Sequence, residues 1–234
     1  MLDDRKQAIF SAIIAEHIKN GRPVGSTQLV AEHALDVSSA TVRNELSELE
    51  EQGYLTQPHT SAGRIPSEKG WRYYLDNLLP EAKLSSAEQK FLSSELVRAE
   101  RDGFSPIKAL AKGLAELSRE AVMVGFGPHD VYYTGLQNLF RQPEFESLEQ
   151  VCNISAIIDH LDEAMAKVFD QEMKQEVEIF IGQDNPFGQD CSAVCTTIEL
   201  DKSEPGILGI LGPFRLDYSS NIARLKLARS LLTT

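Results

Sequence analysis

Arg43 and Asn44 stand side by side in the stretch SSATVRNELSELEEQGYLTQPHTSAGRIPSEKGWRYYLD, which runs from Ser38 to Asp76. A guanidinium can grip guanine, and a carboxamide adenine, through two parallel hydrogen bonds each in the major groove of DNA. Around this pair lie Ser38, Ser39, Thr41 and Ser47, hydroxyl residues short enough to meet a phosphate or a base edge without holding the duplex away. Farther on, Arg64 follows Gly63, where a narrow minor groove would take a guanidinium. His59, Thr60 and Ser61 fill the turn before it. Taken singly, Arg43 and Asn44 are better explained by a solvated helix face, and His59 by a polar turn than by a metal; only the elements that carry them reverse the reading of the first two.

Phe10, Ile13, Ile14 and Ile18 recur at helical spacing over residues 4–19, and Asn20-Gly21 ends that helix. Ser26 caps a short second helix, Thr27 to His33, and Ala34 to Val37 make a tight connection. The third helix starts at Ser38 or Ser39, carries Val42, Leu46 and Leu49 as an inward stripe, and stops at Gly53. Its opposite face bears Ala40, Asn44, Ser47 and Glu48, flanked by Thr41 and Arg43. Tyr54 to Gln57 and Arg64-Ile65 read as two short strands around a turn rich in Pro, Ser, Thr and Gly. Ser67 then caps a helix through Trp71, Tyr74 and Leu75, whose aromatic residues are read as packing groups. Helix, helix, turn, helix and a two-stranded flap are the parts of a winged helix-turn-helix.

The net charge of −12 opposes general polyanion binding, because that affinity scales with the lysines and arginines at the contact. Residues 1–80 hold 8 Lys and Arg against 11 Asp and Glu, a net of −3. Between Leu55 and Leu75, however, Arg64, Lys69 and Arg72 face only Glu68. Glu45, Glu48, Glu50 and Glu51 gather toward the far end of the third helix. A polarised surface with weak non-specific DNA binding is expected.

From Ser85 the pattern changes. Ser85-x-x-Glu88 is a capping box before a helix to about Arg101, and a second helix follows from Pro106 to about Arg119. Ala121 to Phe126 and Val131 to Thr134 read as strands joined at Gly127-Pro128-His129-Asp130. Ser147 to Phe169 reads as one helix. Val177 to Ile181, Ala193 to Leu200 and Gly206 to Leu211 are three more strands, before a closing helix from Ser220 to Leu232. The connections favour an antiparallel sheet with helices on one face, so the chain as a whole is α+β. Domains are placed at 1–80, for DNA binding, and 81–234.

Cys152, Cys191 and Cys195 form neither an even disulfide set nor a paired zinc pattern, and read as reduced, buried thiols. Cys191 and Cys195 share a strand face. HExxH, GxSxG, phosphate-loop and dinucleotide-binding patterns are lacking, so no enzyme is predicted and no cofactor or metal is assigned. The first residues carry acids where a secretion signal carries bases, and no run approaches about 18 consecutive apolar residues. The cytoplasm is the expected compartment, with no membrane partner.

The stretch quoted above closely resembles the winged-helix segment of the bacterial heat-inducible transcription repressor HrcA. The similarity extends upstream through RPVGSTQLV and continues, more weakly, in VYYTGLQNLFRQPEF, VEIFIGQDNPF and LGILGPFRLDYSSNIARLK. It implies a homodimeric repressor on an inverted-repeat operator in double-stranded DNA upstream of chaperone genes. It also implies a helical connector and a GAF-like domain after the winged domain, and activity maintained by the chaperonin. Carried over, the recognition helix is Ser39 to Gln52 and the wing Gln57 to Ile65, with Arg43, Asn44 and Arg64 at the contact. The family's long dimerisation insertion is missing: AVMVGFGP reaches VYYTG across only His129-Asp130. Dimerisation is then expected through the helices between Ser85 and Arg119 or through the GAF-like surface. Two other readings stay open: a ligand-sensing winged-helix regulator of other genes, and a winged module that binds protein instead of DNA.

Overall fold

Asp3 accepts a hydrogen bond from the Lys6 amide and starts α1, Asp4–Asn20, which ends where Gly21 takes φ +63°. In this computed structural model residues 2–33, 37–60, 62–145, 148–171, 173–200 and 205–233 are described. Ile9, Phe10, Ile13 and Ile14 form the buried stripe of α1. α2 spans Ser26–Glu32 with Gly25, not Ser26, at its N-cap and no side-chain capping bond. Ser26 is buried one residue farther in, and its hydroxyl lies 3.2 Å from that of Ser39. The cap expected from residue type was therefore drawn into tertiary contact. Of the connection expected at Ala34 to Val37, only Val37 lies within the described residues.

α3, Ser39–Glu51, is capped by Ser38, whose hydroxyl accepts from the Thr41 amide. Val42, Leu46 and Leu49 are all buried. Beyond Gly53, at φ +77°, β1 (Leu55–Thr56) and β2 (Ile65–Pro66) pair antiparallel, Leu55 opposite Pro66 and Thr56 opposite Ile65. The strands are shorter than the sequence suggested. α4, Glu68–Asn77, is capped by Ser67. Ser67 Oγ also donates to Gly53 O at 2.6 Å, and Lys69 Nζ donates to Gln52 O at 2.7 Å, so α4 closes the carbonyl end of α3. A Cβ on Gly70 would sit 2.1 Å from Tyr54 O, so only glycine permits this approach. Trp71 and Tyr74 are buried and Tyr73 stacks edge-on to Tyr54 and Phe10, which makes all three packing groups.

The chain divides into two compact units, Met1–Pro80 and Glu81–Thr234. In the second, α5 (Ser86–Asp102) begins with both halves of the Ser85 and Glu88 capping box, and Arg119 in the left-handed region ends α6 (Pro106–Ser118). β3 (Ala121–Gly127) and β4 (Asp130–Thr134) are joined by Pro128-His129. After α7 (Leu136–Leu139) come α8 (Leu148–Asp159) and α9 (Leu161–Asp170), then β5 (Glu178–Ile181), β6 (Cys191–Glu199), β7 (Pro205–Pro213) and α10 (Tyr218–Leu232). The single helix expected over Ser147 to Phe169 is thus two: His160, at φ −112° and ψ 23°, breaks it without a glycine or proline.

The five strands form one antiparallel sheet in the order β4-β3-β7-β6-β5. Both of its faces are covered, which corrects the one-sided expectation. Met123, Ala193, Cys195 and Leu211 pack with Leu161, Met165 and Val168 of α9. The alternate residues Val122, Val124, Val194, Leu208 and Ile210 are equally buried, on the face where α6 and α10 pack. Cys191 and Cys195 share the first face, and burial pushes the Cys191 thiol up to about 12. Cys152, expected to be buried, is exposed. Among the described residues no helix is long and apolar enough to cross a membrane.

Candidate nucleic-acid interface

Two helix starts and a hairpin build the site. Ser39 Oγ lies 3.2 Å from Ser26 Oγ and 3.5 Å from Thr27 Oγ1, so hydroxyls join the first turn of α2 to that of α3. Ser38 Oγ serves the Thr41 amide at 3.1 Å and lies 3.0 Å from the Thr41 hydroxyl. Ser47 Oγ donates back to Arg43 O at 3.1 Å. Of the residues predicted on this helix, Ser38, Ser39, Thr41 and Ser47 thus have local structural partners. The side chains of Arg43 and Asn44 are exposed and take no partner among the described residues. Both stand on the outer face of α3, as Glu51 does at its far end.

The wing is braced from within. Gln57 Nε2 donates to Thr60 O at 3.0 Å and to Ala62 O at 2.8 Å, while the Ala62 amide donates to His59 O. His59 and Thr60 are exposed at its tip. Ser61 lies outside the described residues. Arg64 is not at the tip: its backbone pairs with Val24 and its Nε donates to Glu50 Oε2 at 2.8 Å, leaving the side chain 18% exposed. The expected minor-groove arginine is therefore held against α3 in the free protein. A Cβ on Gly63 would lie 2.4 Å from the Val24 carbonyl, so glycine is what lets this strand approach.

A cleft of about 400 Å3 opens between these parts, lined among others by Thr27, Arg43, Gln57, Thr60 and Arg64. Thr27 and Gln57 had not been singled out as functional. Gln57 carries a visible signal, an amide at the foot of a polar turn, but Thr27 has none without the fold.

Electrostatics at α3 are polarised along its length. Lys6 Nζ lies 3.1 Å from Glu45 and 3.0 Å from Glu48, and Arg5 is 3.8 Å from Glu45. The Glu48, Glu45 and Asp3 carboxylates hold the Lys6 ammonium well above its usual range. Glu50 is taken by Arg64. Three of the acids that made this helix look unsuited to DNA are thus compensated by bases of α1 and the wing. What faces outward near its start is a cation, a carboxamide and small hydroxyls, a set able to form bidentate bonds to bases and single bonds to phosphates.

A family model described as "DeoR-like helix-turn-helix domain" matches residues 11–68, and one described as "HrcA protein C terminal domain" matches residues 67–222. The heat-inducible transcription repressor HrcA of Moorella thermoacetica is 29% identical, aligned over 335 positions that take in 99% of this chain and 97% of that protein. The repressor of the same name from Symbiobacterium thermophilum is 27% identical, with 100% and 98% covered. The one from Clostridium perfringens is 50% identical over 97 residues, 42% of this chain and 29% of that protein. An alignment of 335 positions against 234 residues leaves about 100 positions of the first relative unmatched. A crystal structure described only as that of a hypothetical protein superposes with a TM-score of 0.77 at 17% identity, covering 100% of this chain and 98% of that one, which shows the fold. With the HrcA model alone matching about two thirds of the residues, and the helix-turn-helix model the segment before it, the chain belongs to the HrcA family.

Proposed function

We propose that the chain is a DNA-binding repressor of heat-shock genes that reads an inverted-repeat operator as a homodimer. Within it, residues 1–80 act as the DNA-binding domain and residues 81–234 as a helical connector with a GAF-like domain. The observation that carries the reading is the exposed Arg43 and Asn44 pair on a helix whose acids are compensated elsewhere. The matched relatives, all named transcription repressors, support the biological role. In this reading Arg43 and Asn44 meet base edges, and Ser38, Ser39, Thr41, Ser47 and Thr27 lie along the phosphates. The exposed His59 and Thr60 of the wing follow the neighbouring groove, and Arg64 joins them once Glu50 releases it. A protein with such a task works beside the chromosome, in the cytoplasm. Dependence on a chaperonin comes with the family resemblance alone.

A single winged unit with so few bases makes few phosphate contacts. Two units on a palindrome roughly add their binding free energies, which is why a homodimer suits this sequence. Selection of bound sites from random duplex DNA tests the whole reading: a palindrome is expected, and a pool without any shared motif overturns it. In the selected site Arg43→Ala or Asn44→Ala should cost about 1 to 3 kcal/mol of discrimination against the wrong base. Equal losses on operator and random DNA would move these residues to the phosphate backbone.

A further inference from the structure

The wing pairs as strand over only two residue pairs, Leu55 with Pro66 and Thr56 with Ile65. Gln57 is the first residue beyond that ladder, so strand pairing ends where the turn toward His59 and Thr60 begins. There a side chain takes over. Among the described residues the turn is held by three hydrogen bonds: Gln57 Nε2 to Thr60 O at 3.0 Å, Gln57 Nε2 to Ala62 O at 2.8 Å, and the Ala62 amide to His59 O at 2.9 Å. A carboxamide nitrogen carries two protons, so both are engaged by the backbone and neither is left for a base or a phosphate. Gln57 is half-buried, whereas His59 and Thr60 are exposed. It also lines the cleft shared with Arg43, so the turn it shapes stands beside the exposed start of α3.

A loose turn loses conformational freedom when it docks on DNA, and that loss subtracts from affinity. A turn already held in shape docks with less of it. The reciprocal bonds to Val24 and the ion pair with Glu50 act at Arg64, on the far side of Gly63. The outer turn depends on Gln57. Without its amide the Thr60 and Ala62 carbonyls would turn to water, which each must give up where the wing closes on a duplex.

We infer that Gln57 is a positioning residue for DNA binding: it makes no contact with the duplex itself and holds the wing turn in the shape that presents His59 and Thr60 to the groove. The inference rests on the reading of the chain as a DNA-binding repressor and assigns, within it, the side chain that shapes the wing beforehand. Gln57→Met keeps the side chain near its length and uncharged but removes both donors. What it loses in affinity is then what the tip contributes.

Gel retardation on the selected palindrome tests it through a double-mutant cycle of Gln57→Met with the tip variant His59→Ala/Thr60→Ala, whose backbone carbonyls remain. Trp71 fluorescence in denaturant verifies the fold of the N-terminal unit in each variant. Gln57→Met and the tip variant should each weaken binding about tenfold or more, because both units of the dimer are altered, and the combined variant should bind no more weakly than the poorer of the two. Discrimination at the bases read by Arg43 and Asn44 should be unchanged in Gln57→Met, and its Ala62 amide should exchange with solvent faster in the free protein. Losses that multiply in the combined variant, a tip variant that binds as wild type does, or wild-type affinity in Gln57→Met each overturn the inference and leave the repressor reading standing. A wild type that binds no duplex removes that reading and this role together, whatever the Ala62 amide does. Should Gln57→Met unfold, Gln57→Asn, one methylene shorter, takes its place in the cycle.

Discussion

Glu16 in the N-terminal unit is 3% exposed and Glu120 in the C-terminal unit 7%, yet their surroundings have opposite effects on charge. Glu16 accepts from Asn20 Nδ2 at 2.8 Å and Gln28 Nε2 at 3.0 Å, and it faces His33 Nε2 at 3.2 Å and Lys19 at 3.8 Å. Burial works against its ionisation, but the His33 bond and the Lys19 charge outweigh it and leave the carboxyl below its ordinary range. Glu120 has Gln142 Nε2 at 3.4 Å from one oxygen, and its other oxygen has no hydrogen-bond partner among the described residues. The Arg215 guanidinium nearby is engaged by Glu144 and Gln142. Burial therefore prevails, helped by Glu144 and opposed by Arg215, and pushes Glu120 up to about 8. Removal from water penalises a carboxylate in both units; the number of donors aimed at it decides whether it stays charged.

This contrast predicts opposite pH dependences. Glu120 is protonated in the folded unit and ionised in the unfolded chain between about pH 4.5 and 8, so stability of the C-terminal unit falls as pH rises through that window. The wild-type loss is on the order of 5 kcal/mol, and Glu120→Gln should abolish it. Thermal melts of both proteins at steps of pH check this; parallel curves would mean that the carboxyl finds a donor. Glu16, with its depressed value, stabilises the N-terminal unit above the ordinary carboxylate range, a contribution lost as pH falls through the folded value. Glu16→Ala strands the Asn20 and Gln28 amides and should cost about 1 to 3 kcal/mol. Trp71, buried in the N-terminal unit, is the chain's single tryptophan, so its fluorescence in denaturant isolates that unit. A Glu16→Ala transition unchanged from wild type would remove the distinction between the two acids.

The smallest effect concerns an acid between these extremes. Glu50 is half-buried and, among the described residues, held by Arg64 alone at short range. Glu50→Gln removes a negative charge beside the duplex and frees a guanidinium, so DNA should bind more tightly by less than about 1 kcal/mol, whatever its sequence. Gel retardation at two salt concentrations reads it, with the gain fading at the higher one. A loss of affinity would show that Glu50 positions Arg64 for contact instead of withholding it.

Most of the architecture could be read from local rules. The Val42, Leu46 and Leu49 stripe, the Ser38, Ser67 and Ser85 caps and the antiparallel sheet follow from periodicity and residue type, which act within a few positions. What escaped depends on distant partners. Ser26 forfeits its capping role to a hydroxyl of α3, Arg64 is drawn to Glu50 fourteen positions away, and His160 breaks an apolar period that runs on past it. The compensation of Glu45 and Glu48 by Lys6 was equally invisible, because nothing in the spacing of α1 says that its first turn lies along α3. The exposure of Arg43 and Asn44 was legible for the complementary reason: both fall outside the Val42, Leu46 and Leu49 stripe, and no distant partner draws them in.

The Val24 amide donates to Arg64 O and the Arg64 amide to Val24 O, both at 2.9 Å, so the returning strand of the wing is stitched to the segment between α1 and α2. That reciprocal seam leaves little freedom at the base of the flap. Adjustment to differing groove widths then falls to the duplex and to the exposed side chains of His59 and Thr60, not to a hinge at the foot of the flap.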